Sequence, residues 1–389
     1  MISRRDFLYS AAATLALTRA AHPLLARFQQ DDQVAPVPGK EGMILRSYRF
    51  LDLETPVDYM DSWITPEKHF YVRNHMYMPG TIDPASWKLS ISGEVENPVS
   101  LDLNDLSKFP SLAVTNTLEC AGNGRAFQRP IVPGVQWQRG AVSTGRFQGP
   151  RLRDVLMRAG VKPTGKHVSF RGLDQVPGKV PPFVRSIPIE KAMDADTIVA
   201  THMNGAPLTH FHGFPVRALV PGWIGAASCK WVAEIHVIDK EFDGNFMKPG
   251  YRYPNHAVEP GGSISPDETH ALTSLRVKSI IAGPVEGATV KAGMLHVHGA
   301  AWAGEDDIAK VDVSTDSGAT WHAAQLGSDR ARYAWRLWSF SWKPPRSGDY
   351  TLMSRATDSQ GRTQPESAAW NPSGYLYNAI DKVKVHVQT

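Results

Sequence analysis

The sequence predicts an α+β domain over residues 43–260, followed by an all-β, immunoglobulin-like domain over residues 265–389. Three observations predict this. The periodicity is mixed up to His256. Two prolines and two glycines then interrupt it between Glu259 and Pro266, where no regular element can run. Beyond that point short segments alternate with period two, as strands of a sandwich do. At 389 residues and 42% hydrophobic, the chain can bury a core in each domain.

Ser3-Arg4-Arg5-Asp6-Phe7-Leu8 precedes an alanine-rich run from Ser10 to Leu17 and small residues from Ala20 to Ala26. This order predicts a twin-arginine export signal over residues 1–26 and a periplasmic destination. That route carries folded proteins, commonly loaded with a cofactor. The polar stretch Gln29–Gly42 reads as a linker or extended arm. No apolar run is long enough to span a membrane. In the first domain Leu152, Val155, Leu156 and Ala159 recur at helical spacing and stop at Gly160, predicting an amphipathic helix. Ala233, Ile235 and Val237 alternate with polar residues and predict a half-buried strand. In the second domain Val311 and Val313 lead to the turn Asp316-Ser317-Gly318, and Trp338, Phe340 and Trp342 alternate with serines. Val383, Val385 and Val387 mark a last strand.

The formal charge of +4 includes Arg4, Arg5 and Arg19 of the signal, so the remaining chain lacks the charge of a nucleic-acid binder. Two cysteines, Cys120 and Cys229, are too few for a disulfide scaffold. No Cys-x-x-Cys-His occurs, so no c-type haem is expected on this chain, and any electron carrier beyond the main cofactor must be another protein.

The segment carrying most chemistry is Asn116-Thr117-Leu118-Glu119-Cys120-Ala121-Gly122-Asn123-Gly124-Arg125. A cysteine in a glycine-rich loop next to arginine suits a thiolate bound to a soft metal. An inert buried thiol and a disulfide to Cys229 fit the composition too. His210 and His212 would make a zinc site only with further ligands.

This segment resembles the cysteine loop of the sulfite oxidase family. Further motifs follow in that family's order: Phe70-Tyr71-Val72-Arg73-Asn74-His75, Gly134-Val135-Gln136-Trp137, Gly172-Leu173-Asp174, His212-Gly213-Phe214-Pro215-Val216-Arg217, and Val220-Pro221-Gly222-Trp223 through Lys230-Trp231. Asp312 to Trp321 and Ala356 to Gly361 resemble the family's dimerisation domain. The resemblance implies a sulfite-oxidase-like molybdopterin domain, with molybdenum on a single pterin dithiolene and Cys120 as the protein's metal ligand. It implies that His75, Asp174, His212, Arg217 and Lys230 hold the pterin and its phosphate, a task for cationic donors on loops. It places Arg73, Arg125, Trp137 and Tyr251 around the substrate, with Tyr253 a rival for Tyr251.

The implied reaction is oxidation of sulfite to sulfate, with a c-type cytochrome as acceptor and a homodimer or a haem subunit as assembly partner. Two departures reduce the positive charge. The family's Trp-Asn-Leu-Arg-Gly is here Trp370-Asn371-Pro372-Ser373-Gly374, and Gly124 stands where a basic residue is common. A sulfane dehydrogenase subunit, or another molybdenum enzyme of small sulfur compounds, is therefore the rival activity. A metal-free exported binding protein is the non-enzymatic alternative.

Overall fold

The computed structural model describes residues 37–389, so the twin-arginine segment and most of the arm after it lie outside the described residues. The end of the expected linker is not a free arm: Lys40 is completely buried.

The first domain is built on two sheets. One has five strands in the order Val99–Leu101, Leu89–Gly93, Val232–Ile238, His167–Gly172 and Val184–Pro188. Its central strand, Val232–Ile238, is the one expected from alternation. A bulge between Val232 and Glu234 turns Ala233 out of the buried face, so Val232, Ile235 and Val237 fill it. Helix Leu152–Ala159 covers this core with Leu152, Val155, Leu156 and Ala159 and ends at Gly160, whose φ of +70° a side chain would resist. Burying the first three side chains contributes about 1.5–3 kcal/mol each.

The other sheet contains a long antiparallel pair, Ser111–Glu119 with Val142–Pro150. The connection between these strands carries Cys120 and Arg125. The cysteine loop therefore starts from a strand end fixed by a continuous ladder.

The second domain is a sandwich. One sheet orders Lys278–Gly283, Leu295–Trp302, Arg336–Trp342 and Gln325–Leu326. The other orders Ala288–Lys291, Asp381–Gln388, Gly348–Asp358, Ile308–Ser314 and His322–Ala323. Val311, Val313, Trp338, Trp342 and the three valines of the last strand meet in its core. Ser317 and Gly318 take positive φ in the expected turn.

The Glu259–Pro266 stretch lies in the loop between Arg252–Pro254 and Thr269–Ala271, which pair antiparallel. The domains are not tethered loosely there. Met60, Ala121, Val142 and Ile224 of the first share one buried cluster with Ile280, Trp302 and Trp335 of the second.

Candidate active site

Cys120 follows directly on the strand Ser111–Glu119 and is 8% exposed. Its N–H donates to the Ala141 carbonyl at 2.9 Å, and its own carbonyl accepts from Asn123 at 2.9 Å, which closes the loop into a turn. Glu119 anchors the turn from below. Its buried carboxylate accepts from Asn123 Nδ2 at 2.9 Å and, across the domain boundary, from Lys278 Nζ at 3.0 Å and Trp302 Nε1 at 2.8 Å. Three donors on one carboxylate satisfy the desolvated charge, which would otherwise destabilise the loop. Gly124 has φ +95°, and a Cβ there would stand 2.7 Å from the Tyr377 ring. A side chain at this position would be strained and would displace Tyr377 of the second domain. Both cysteines are free thiols, which overturns the disulfide alternative.

The Cys120 side chain faces a cavity that also receives Arg73, His75, Asp174, Tyr251 and the His212, Arg217, Lys230 cluster. Burial pushes the thiol above its ordinary range against the opposing pull of Arg73 and Arg125.

At one end Arg73 is held by Asp52 at 3.1 Å and donates to the Asn74 carbonyl. Burial alone would depress the guanidinium, but Asp52, helped by Tyr251 and Cys120, leaves it above its ordinary value. Tyr251 Oη is hydrogen-bonded to His75 Nε2. Burial, reinforced by Arg73 and Arg185, drives His75 well below its usual range, so the imidazole is neutral. Tyr251 itself has φ +55°, an uncommon conformation for a side chain of this size. Tyr253 does not reach the cavity; Arg276 lies over its ring at 4.3 Å. Between the two rivals, the cavity takes Tyr251.

At the other end Arg217 donates to the carbonyls of His212 and Ser228 at 3.2 and 2.9 Å, while its buried Nε has no partner. Lys230 Nζ donates to Asn74 Oδ1 and to the Phe211 carbonyl. No carboxylate among the described residues lies at ion-pair distance from either cation. Burial lowers Arg217 to about 10 and Lys230 well below its usual value. His212 Nε2 lies 2.8 Å from Lys40 Nζ and 3.1 Å from Glu67 Oε1. The ring nitrogen thus faces a donor-only ammonium and an acceptor-only carboxylate, which pair with each other at 3.1 Å. Burial and Lys40 hold His212 down at about 3. Gly213, at φ +104°, lets this turn pass against the Lys230 backbone, where a Cβ would meet it at 3.1 Å.

Two expected substrate residues stand outside the cavity wall. Trp137 is wholly buried, packed in the core that contains Cys120, and its Nε1 has no partner. Arg125 is tucked behind the cysteine loop. Its Nε donates to the Ser373 carbonyl and its NH1 to that of Val135, both at 2.9 Å. Ser373, at the position of the absent family arginine, thus offers a carbonyl to Arg125 rather than a further positive charge. The same segment lays Tyr375 parallel to Tyr251, ring centroids 5.4 Å apart, and beneath Arg125 at 5.3 Å.

Two family models match the chain. One, described as an oxidoreductase molybdopterin binding domain, matches residues 75–246, and one described as a Mo-co oxidoreductase dimerisation domain matches residues 269–388. The sulfite oxidase of Gallus gallus is 36% identical over 366 residues, covering 90% of this chain and 79% of that protein. This chain belongs to the sulfite oxidase family of molybdenum-cofactor oxidoreductases. Another family member, the mitochondrial sulfite oxidase of Rattus norvegicus, is 36% identical over 88% of this chain, which spans 65% of the rat protein's length. The sulfane dehydrogenase SoxCD from Paracoccus pantotrophus superposes with a TM-score of 0.76 at 29% identity, covering 86% of this chain and 84% of the other.

The residues present fit the family's cofactor. A phosphate needs unmatched cationic donors, and Arg217 with its orphan Nε and Lys230 supply them. A metal bound mainly by a dithiolene needs one thiolate and no cage of protein ligands. Among the described residues no cluster of three or more His, Cys, Asp or Glu could hold a metal, which removes support from a zinc site at His210 and His212.

Sequence reasoning missed several residues here. Lys40, Glu67 and Asp52 hold His212 and Arg73, and Arg185 lies over the Tyr251 ring. None belongs to a motif, and charged residues are ordinarily read as surface.

Proposed function

We propose that this chain oxidises sulfite to sulfate in the periplasm after twin-arginine export and delivers the electrons singly to an external c-type cytochrome. The observation carrying this reading is that Arg73, His75 and Tyr251 converge on the same cavity as Cys120. In balanced form, sulfite and water give sulfate, two protons and two electrons. Cys120 would ligate the molybdenum, His212, Arg217 and Lys230 would hold the phosphate and His75 and Asp174 the pterin, and the bound cofactor would supply oxygen-atom transfer and two-electron chemistry.

The chain supplies the rest. Arg73, kept charged and in place by Asp52, binds the anion through its guanidinium fork. Arg125 adds its field from behind the loop. When the neutral His75 donates its Nε2–H to Tyr251 Oη, the tyrosine's own O–H is left free at the substrate end. With its hydroxyl kept protonated by burial, Tyr251 can direct a hydrogen bond to a sulfite oxygen. Phe70, Tyr71 and Leu118 close the wall and limit water. The second domain is the surface for a homodimer or for a haem subunit.

A sulfane dehydrogenase subunit is the second reading, favoured by the likeness to SoxCD and by Ser373 in place of an arginine. Steady-state assays of the molybdenum-loaded protein with sulfite, a sulfane-sulfur substrate and organic sulfoxides, each with cytochrome c where oxidation is read, decide between them. Sulfite turnover with cytochrome reduction is expected, and turnover confined to either other substrate would overturn the assignment. Changing Arg4 and Arg5 to Lys should leave the holoprotein in the cytoplasm; unchanged periplasmic yield would reject the export route.

A further inference from the structure

Arg185 lies on the edge strand Val184–Pro188 and is 2% exposed. Its guanidinium sits 4.9 Å from the centre of the ring of Tyr251, which lines the cavity while Arg185 does not. Its NH1 donates to the Phe246 carbonyl, and its buried Nε has no partner. Among the described residues no carboxylate pairs with it. Glu241, the carboxylate that acts on it electrostatically, is engaged by Arg252 at 3.3 Å. Of the other buried cations, Lys40, Lys191 and Lys278 each have a Glu at ion-pair distance, whereas Arg125 has none and spends its donors on the carbonyls of Ser373 and Val135.

A buried, hydrogen-bonded guanidinium without a counter-charge destabilises the fold unless something repays the desolvation. The Tyr251 ring face compensates only partly. Arg217 and Lys230 are unmatched by protein because, on the proposed reading, the cofactor phosphate answers them. Arg185 stands behind Tyr251 and His75, and Phe183, two residues away, stacks on His75 at 4.1 Å. The anion expected at that end is the substrate.

We infer that Arg185 is a specificity-determining residue, the uncompensated positive charge that draws a small oxyanion to the Tyr251 end of the pocket. The inference rests on the sulfite reading for its substrate but not for its chemistry, which is attraction of a small sulfur oxyanion. Arg185 acts through Tyr251 and does not touch the reacting atoms. In a poorly solvated wall a unit charge about 8 Å from an anion changes its affinity by roughly 5- to 50-fold.

The test compares holoprotein of wild type, Arg185→Met and Arg185→Lys. Molybdenum content, thermal stability, sulfite KM and kcat, and calorimetric binding of inorganic sulfate as a non-reacting anion are measured together. Arg185→Met should keep its molybdenum and melt no lower than wild type, because an unpaired buried charge has gone. Its sulfite KM and sulfate Kd should rise together by roughly 5- to 50-fold, with kcat within about twofold. Arg185→Lys should recover part of the affinity. Unchanged KM and Kd in the molybdenum-replete Met variant would overturn the inference, and so would a lower melting temperature with loss of metal, which makes Arg185 a scaffold residue. If wild type fails to oxidise sulfite, the functional reading falls, and the sulfate arm still decides for or against Arg185.

Discussion

Within one cavity Arg217 and Lys230 stand without carboxylates, whereas Arg73 is held by Asp52 at 3.1 Å. On the proposed reading, with the cofactor phosphate at Arg217 and Lys230 and the substrate at Arg73, the difference follows from how long each anion stays. A tightly bound cofactor phosphate is a permanent counter-charge, so cations around it can be left unmatched by protein and still be stable in the loaded enzyme. A substrate leaves after each turnover. Its arginine must keep its position and charge in the empty site, which a resident carboxylate ensures at some loss of attraction for the anion. Arg125 takes a third course, its donors spent on the carbonyls of Val135 and Ser373, and serves the cysteine loop more than the cavity.

Substitutions can break or sharpen this contrast. The largest effect is expected at the metal itself: Cys120→Ser should abolish turnover while the chain still folds, because a hydroxyl is a harder and poorer ligand than thiolate. Metal analysis, circular dichroism and turnover together check it, and full activity in the variant would remove Cys120 from the assignment. At the phosphate end, Arg217→Met should weaken cofactor retention by about 2–5 kcal/mol, roughly 30-fold or more, without destabilising the cofactor-free fold. Molybdenum per chain after dialysis and the melting temperature of cofactor-free protein are the readouts. A metal-replete variant would show that this arginine does not hold the phosphate.

At the substrate end Arg73→Met should leave molybdenum in place and lower kcat/KM for sulfite by about 10- to 150-fold, the loss of a charge-assisted hydrogen bond worth about 1.5–3 kcal/mol. A neutral sulfoxide should feel much less. Arg125→Met should differ in kind, loosening the loop and reducing metal retention more than it raises KM. Equal kinetic losses with full metal in both variants would place the two arginines in one anion site and erase the distinction drawn here. Tyr251→Phe should have the smallest effect, about 2- to 12-fold in kcat/KM, since one neutral hydrogen bond of about 0.5–1.5 kcal/mol is deleted and the ring stays. Its partner His75 should then lose its bound hydroxyl, visible as a changed pH profile.

Much of the scaffold was legible because it is local. The helix Leu152–Ala159 and the strand Asp381–Gln388 show their buried faces directly in the spacing of apolar residues. Where the reading slipped, a nonlocal event was responsible: the bulge at Val232–Glu234 moved Ala233 off the buried face, and Lys40 left the expected arm to join His212. The ordered motifs likewise brought Cys120, His75, Asp174, His212, Arg217, Lys230, Arg73 and Tyr251 to one cavity, but not Trp137 or Arg125.

The amino-acid sequence by itself determined the two-domain order, the periodic elements and the family, because periodicity and motif order are properties of the chain. Only the tertiary structure decided which charges are answered. Glu119 beside the cysteine meets Lys278 from 159 residues away, Arg73 meets Asp52, and Arg185 meets no carboxylate among the described residues. Whether a charged side chain is solvated, paired or left bare depends on which distant strand or loop packs over it. That burial sets the dielectric in which the charge acts, and neither follows from local composition.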